Sequence, residues 1–321
     1  AVAKLKWSSM TCLPTARAIA TPGRSECRRI ESEAALELSG RNRKEQQRKS
    51  YGSAWTTSML ERTARKHVPI LGIPVSGSGM PQAVETIAAW IDAGEARYVC
   101  AIDVYNLMLA RSNASHRESL HSADLVTADG APISWAGRLR GHSDMRRVCG
   151  PDLMLALCQR SVSHGWSHYF FGGAEGVAAT LASRLTERFP GLVVAGFESP
   201  PFRPMTADEH RDMVERMRRL SPSIIWVGLG CPKQEAWMRD NIRHLPNSVL
   251  IGVGAAFDFH SGRIQRAPLW MQNNGIEWMH RFVSEPRRLW RRYLIYAPRF
   301  VVLSLMEALT DRVRHRFQFV R

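Results

Sequence analysis

The sequence predicts an α/β protein: a Rossmann-like, mainly parallel sheet with helices on both faces, followed by a basic helical C-terminal appendage. Three observations lead there. From residue 68 to residue 254, apolar runs of strand length alternate with amphipathic runs of helix length, the order that builds parallel sheets covered on both sides. Several of the strand-like runs hand over to glycine or aspartate, as they do where a ligand sits beyond strand ends. The charge is also unevenly divided. A net +15 splits into +8 on residues 1–68, zero on 69–280 and +7 on 281–321.

Residues 1–66 are rich in Arg, Ser, Glu and Gln with little periodicity. They are expected to be a disordered or dispensable extension. Residues 67–280 are expected to form the α/β domain. VPILGIPV (68–75) reads as a strand, PQAVETIAAWIDAG (81–94) as an amphipathic helix ended by glycine, and RYVCAI (97–102) as a strand. A helix follows to about 121, then strand 124–128 and helices near 131–140 and 151–164. Strands 168–173 and 191–196 flank helix 175–189. TADEHRDMVERMRRL (206–220) opens with Thr206 and carries Glu209 three residues on, a capping box. Strands 223–228 and 248–254 flank helix 233–244. Residues 281–321 form the appendage.

Six cysteines are scattered, with no Cys-x-x-Cys pair and no Cys/His cluster at zinc spacing. No metal and no cofactor is expected, and the thiols read as core groups of a cytosolic protein. The first ten residues lack a signal peptide's apolar core. No apolar run approaches the ~20 residues that span a bilayer; Phe300–Leu309 is the best and contains Glu307. A neutral body with basic ends argues against a nucleic-acid partner. It suits an anionic membrane surface, at about 1 kcal/mol per basic residue, or simply a solvated basic helix. A peripheral protein of the cytoplasmic membrane face is expected. A homo-oligomer is compatible with these features.

Candidate site residues cluster at strand ends. VGLGCPKQE (227–235) runs from a strand through Gly228 and Gly230 to Lys233, Gln234 and Glu235 at a helix start. Glycines let backbone N–H groups approach a ligand, and a helix N-terminus favours anions. This fits a diphosphate or nucleotide, or a tight turn that merely needs glycine. Gly172 and Gly173 occupy the equivalent place after another strand. In GVGAAFDFH (252–260), Gly254, Phe257 and Asp258 could hold a base and a ribose; alternatively the aromatics are core and Asp258 caps a turn. Asp129 and Gly130 follow strand 124–128. A carboxylate there could take a proton from a sugar hydroxyl, or the pair could be an ordinary Asp-Gly turn. In EPRRLWRRYL (285–294), Arg287, Arg288, Arg291 and Arg292 read as one helical face beside Trp290 and Tyr293. That face suits a membrane interface or a phosphate clamp. The chain has no Asp-x-Asp pair, and its first strands lack the Gly-x-Gly-x-x-Gly of a dinucleotide oxidoreductase.

Taken together, ADLVTADGAPISWAGRL, RVCGPDLM, VGLGCPKQEAWM and the run from IGVGAAFDFHSG to RRLWRRYL resemble the WecG/TagA/CpsF family of glycosyltransferases, in order, over about residues 68–300. The resemblance implies an inverting, metal-independent transfer from a UDP-sugar donor to a polyprenyl-diphosphate-linked saccharide acceptor. It implies Asp129 as general base and the Gly228–Glu235 segment along the sugar-nucleotide cleft. Arg287, Arg288 and Arg291 would meet the donor diphosphate. The family usually places a Thr/Asn pair at the end of its second strand. This chain has Ala101, Ile102 and Asp103 there, with Asn106 one turn on. A non-catalytic sugar-nucleotide-binding or scaffold subunit is the alternative.

Overall fold

The computed structural model describes residues 67–318; the expectation for residues 1–66 lies outside them. The first element corrects the sequence reading. VPILGIPV is a hairpin, with β1 (His67–Ile70) antiparallel to β2 (Ile73–Ser76). Leu71 and Gly72 turn the chain at φ 48° and 83°, the left-handed pair that a two-residue hairpin turn requires.

The other six strands form one parallel sheet: β3 (Arg97–Ile102), β4 (Leu125–Ala128), β5 (Ser167–Gly172), β6 (Val193–Glu198), β7 (Ile224–Gly228) and β8 (Val249–Gly252), in the spatial order β4-β3-β8-β7-β5-β6. This is the expected Rossmann-like class. Side chains alternate across each strand, so the sheet feeds two cores. Tyr98, Cys100 and Ile102 of β3 pack with the hairpin, helix Val104–Ser112 and helix Lys233–Asn241. Val99 packs on the opposite face with helices Met80–Asp92, Gly150–His164 and Val177–Arg188. Trp226, Phe170 and Phe171 are fully buried, each stabilising the fold by about 1.5–3 kcal/mol or somewhat more. Helix Ala207–Leu220 begins with the expected box: Glu209 N–H donates to Thr206 Oγ1 at 3.2 Å and Thr206 N–H to Glu209 Oε2 at 2.8 Å.

After β8 the chain runs through short helices, Ala256–His260, Leu269–Asn273, Glu277–Ser284 and Pro286–Trp290, then a π-helical turn (Arg291–Tyr296) and helix Ala297–Gln318. The boundary expected between residues 280 and 281 therefore falls inside helix Glu277–Ser284. Pro286–Arg312, 27 residues, is long and apolar enough to cross a membrane by length and composition, which the shorter Phe300–Leu309 run does not signal. One face of it is seated on the protein. Phe300, Ser304 and Ala308, spaced by four, are buried. Glu307 accepts from Leu71 N–H at 3.1 Å, and Asp311 accepts from Arg140 Nε at 2.6 Å.

Two glycines allow close packing at the ends of β5 and β7. Gly172 and Gly228 are opposite one another in the ladder. A Cβ on Gly172 would lie 2.5 Å from the Gly228 carbonyl carbon, and one on Gly228 would lie 2.5 Å from the Phe257 ring. Gly230 differs: its φ is 74° and nothing lies within 4 Å of its missing Cβ. Gly228→Ala should therefore lower unfolding free energy by about 3 kcal/mol through overpacking. Gly230→Ala should lower it by about 1 kcal/mol, through left-handed backbone alone. Urea midpoints of the two variants check the ranking, and the reverse order would contradict this packing.

Candidate active site

The carboxyl ends of β3, β4, β5, β7 and β8 open into one cleft of about 810 Å³, within the range of small-molecule sites. Asp129, directly after β4, is fixed by its backbone. Its N–H donates to the Ile102 carbonyl of β3 at 2.9 Å, and its carbonyl accepts from Arg147 Nε at 2.9 Å. Asp129 is half-buried and lines the cleft. Burial pushes the Asp129 pKa up to about 7; Asp103 and Glu277 add to this, while Arg147 and Arg281 oppose it. A carboxyl so placed holds or releases a proton near neutral pH.

Asp103 follows β3 and caps helix Val104–Ser112: its Oδ1 accepts from Asn106 N–H and from Asn106 Nδ2, both at 3.0 Å. Its other oxygen lies 3.7 Å from Arg292 Nη1. Arg292 also sits over the Tyr105 ring, 4.2 Å from its centroid. The departure at position 103 thus supplies a helix cap, a partner for an arginine of the C-terminal segment, and a negative charge that raises the Asp129 pKa.

A chain of ion pairs backs the cleft. Arg147 Nη2 donates to Glu277 at 2.6 Å, Glu277 pairs with Arg266 at 3.1 Å, and Arg266 Nη2 reaches Asp152 at 3.1 Å. Arg147 is brought alongside β4 because Val148 N–H donates to Ala128 and Thr127 Oγ1 donates to the Val148 carbonyl. The cleft wall carries seven basic side chains (Arg147, Arg203, Lys233, Arg263, Arg281, Arg288 and Arg292) against four acids (Asp103, Asp129, Asp258 and Glu277). This excess favours a multiply charged anion.

Of the residues singled out in the sequence, Asp103, Asn106, Asp129, Gly130, Gly173, Gly228, Gly230, Lys233, Gln234, Gly254, Asp258 and Arg288 line the cleft. Five do not. Gly172 packs on the Gly228 backbone. Phe257 is core, edge-on to Phe170 at 6.5 Å. The room beside Gly228 is therefore occupied by Phe257 and not left for phosphates. Glu235 is fully buried behind the wall. Arg287 is exposed, and Arg291 lies over the Trp290 ring. Arg288 and Arg292, one turn apart, share the cleft face, whereas Arg287 and Arg291 point about 100° away from them. Asp258 pairs with Arg263 at 3.1 Å. Arg292, part of the arginine face expected from the sequence, lines the cleft as well, whereas Arg147 in RVCGPDLM and Arg281 in the C-terminal motif were missed, and the motif boundaries were the available signal for these two.

The family model of the glycosyl transferase WecG/TagA/CpsF family matches residues 68–314, most of the chain and the whole cleft. The chain belongs to that family. A WecG/TagA/CpsF relative from Bacillus spizizenii, named N-acetylglucosaminyldiphosphoundecaprenol N-acetyl-beta-D-mannosaminyltransferase, is 30% identical over 197 residues, 61% of this chain and 74% of its own length.

Proposed function

We propose that this chain is an inverting glycosyltransferase that moves a sugar from a UDP-sugar to a polyprenyl-diphosphate-linked saccharide, with Asp129 as general base. The observation carrying this reading is the pairing of a carboxyl whose pKa burial pushes up to about 7 with a wall of arginines in one cleft. The acceptor hydroxyl attacks the anomeric carbon, the bond from that carbon to the diphosphate oxygen breaks, and UDP leaves with the bonding pair. The hydroxyl proton passes to Asp129. Charge growing on the diphosphate is met by Lys233, Arg288 and Arg292, fixed groups that need little rearrangement in the transition state. The absence of an Asp-x-Asp pair supports a reaction that runs without a metal ion. The relative's printed name makes N-acetylmannosamine the first donor sugar to try and diphosphoundecaprenol-linked N-acetylglucosamine the first acceptor.

We further infer that the C-terminal segment rests on an anionic membrane surface, where the acceptor lipid resides. Twelve of the nineteen large apolar residues exposed among the described residues lie between 269 and 309. Val302, Leu305, Met306 and Leu309 lie on the side of the last helix away from buried Phe300 and Ser304. An apolar face bordered by arginines is the pattern of an interfacial helix.

UDP release with a panel of UDP-sugars and the lipid-diphosphate acceptor, in EDTA, tests the reaction. Asp129→Asn should bind UDP as before and lose turnover by roughly 10²–10⁴-fold; equal turnover rejects Asp129 as the base. Replacing Val302, Leu305 and Leu309 together by Ser should reduce co-sedimentation with anionic liposomes at least tenfold and leave UDP binding unchanged. Undiminished sedimentation would refute the docking face.

A further inference from the structure

Glu235, expected on the cleft wall, lies behind it with two residues brought from elsewhere. His116 comes from helix Ala114–His121 and Cys231 from the turn before helix Lys233–Asn241. The His116 ring nitrogens, Cys231 Sγ and the Glu235 carboxylate offer one ligand atom each, all within 4.8 Å of one another. Cys231 Sγ is 3.8 Å from His116 Nε2. We propose that His116, Cys231 and Glu235 bind a divalent transition metal of the zinc class, which ties the Gly230–Lys233 turn to helix Ala114–His121.

Four features converge on this. The donor set is one nitrogen, one sulfur and one oxygen, borderline-soft ligands that suit zinc. Bonds of about 2.0–2.3 Å put tetrahedral ligand atoms roughly 3.3–3.7 Å apart, so the trio closes by at most about 1.5 Å through side-chain rotation. Glu235 is already oriented: Gln234 Nε2 donates to its Oε1 at 2.9 Å, while its Oε2 is buried with no partner. A hydrogen-bonded trio without metal would put a proton on that carboxyl, and Oε2 has no acceptor within reach. Charge also balances, because a thiolate and a carboxylate cancel a divalent ion in a buried place.

Metal entry displaces the thiol proton and any proton on the carboxyl. Nearby Asp103 favours a cation and Arg292 opposes it, so neither decides the matter. Three protein ligands leave a fourth position, and Cys231 borders the cleft, where water reaches it. The metal holds the turn and takes no part in the sugar transfer proposed above.

The test is a titration of the reduced, chelator-treated full chain with Co²⁺ alone, read by absorbance without turnover. One equivalent should give a thiolate-to-cobalt charge-transfer band with intense four-coordinate visible bands, both abolished by added Zn²⁺. Cys231→Ser should lose the charge-transfer band, His116→Gln should weaken binding at least tenfold, and Cys158→Ser, a buried thiol elsewhere, should bind as the parent does. No thiolate band in the parent, or a band that survives Cys231→Ser, overturns the proposal. Should a variant fail to fold, X-ray absorption of the zinc-loaded parent decides it: one sulfur with nitrogen and oxygen neighbours supports the site, and a shell without sulfur refutes it.

Discussion

The cleft depends on one constraint: the Asp129 carboxyl is held where it is poorly solvated. Its backbone is tied on both sides, by the Ile102 carbonyl in β3 and by the Arg147 guanidinium. Neither bond touches the carboxyl oxygens, so Arg147 positions the residue without forming an ion pair that would lock the carboxylate in its charged form. Burial then outweighs the neighbouring arginines, and the pKa rises. Were Arg147 paired directly with the carboxyl, the pKa would fall below the usual range and the group would be a poor proton acceptor.

The ion-pair chain from Arg147 through Glu277 and Arg266 to Asp152 extends that constraint. It links the end of β4, the start of helix Gly150–His164 and the segment after β8, three regions far apart in sequence. The C-terminal segment is fastened a second time at its far end, where Glu307 and Asp311 meet Arg140. Arg281, Arg288 and Arg292 lie between the two attachments and face the cleft. These three arginines are thus carried by a segment outside the sheet, while Asp129 directly follows a strand of the sheet itself.

Strand and helix positions were legible in the sequence because period and capping decide them locally: RYVCAI, SIIWVG and the Thr206–Glu209 box all stand close to where the pattern puts them. Asp129, Lys233 and Gln234 were legible as cleft residues because a parallel sheet gathers its strand ends on one side. The rest depended on contacts that sequence spacing does not encode. Leu71-Gly72 lacks the usual Asn-Gly turn signal, so the hairpin read as one strand. Phe257 and Gly228, 29 positions apart, complement each other only in the folded sheet. Arg147 is one of 44 basic residues and becomes distinctive only when Glu277 reaches it. Treating four arginines as a single face blurred a 100° rotation that separates Arg288 and Arg292 from Arg287 and Arg291. His116, Cys231 and Glu235 have no metal-ligand spacing because two separate elements supply them.

The most direct test of the Asp129 environment is a carboxyl ¹³C NMR titration of the full chain, with the Asp129 signal assigned by its loss in Asp129→Asn. A midpoint near 7 is expected from burial beside Asp103 and Glu277. A midpoint near 4, the ordinary aspartate value, would show a well-solvated or directly paired carboxylate and would contradict the electrostatic basis of the proposed reaction.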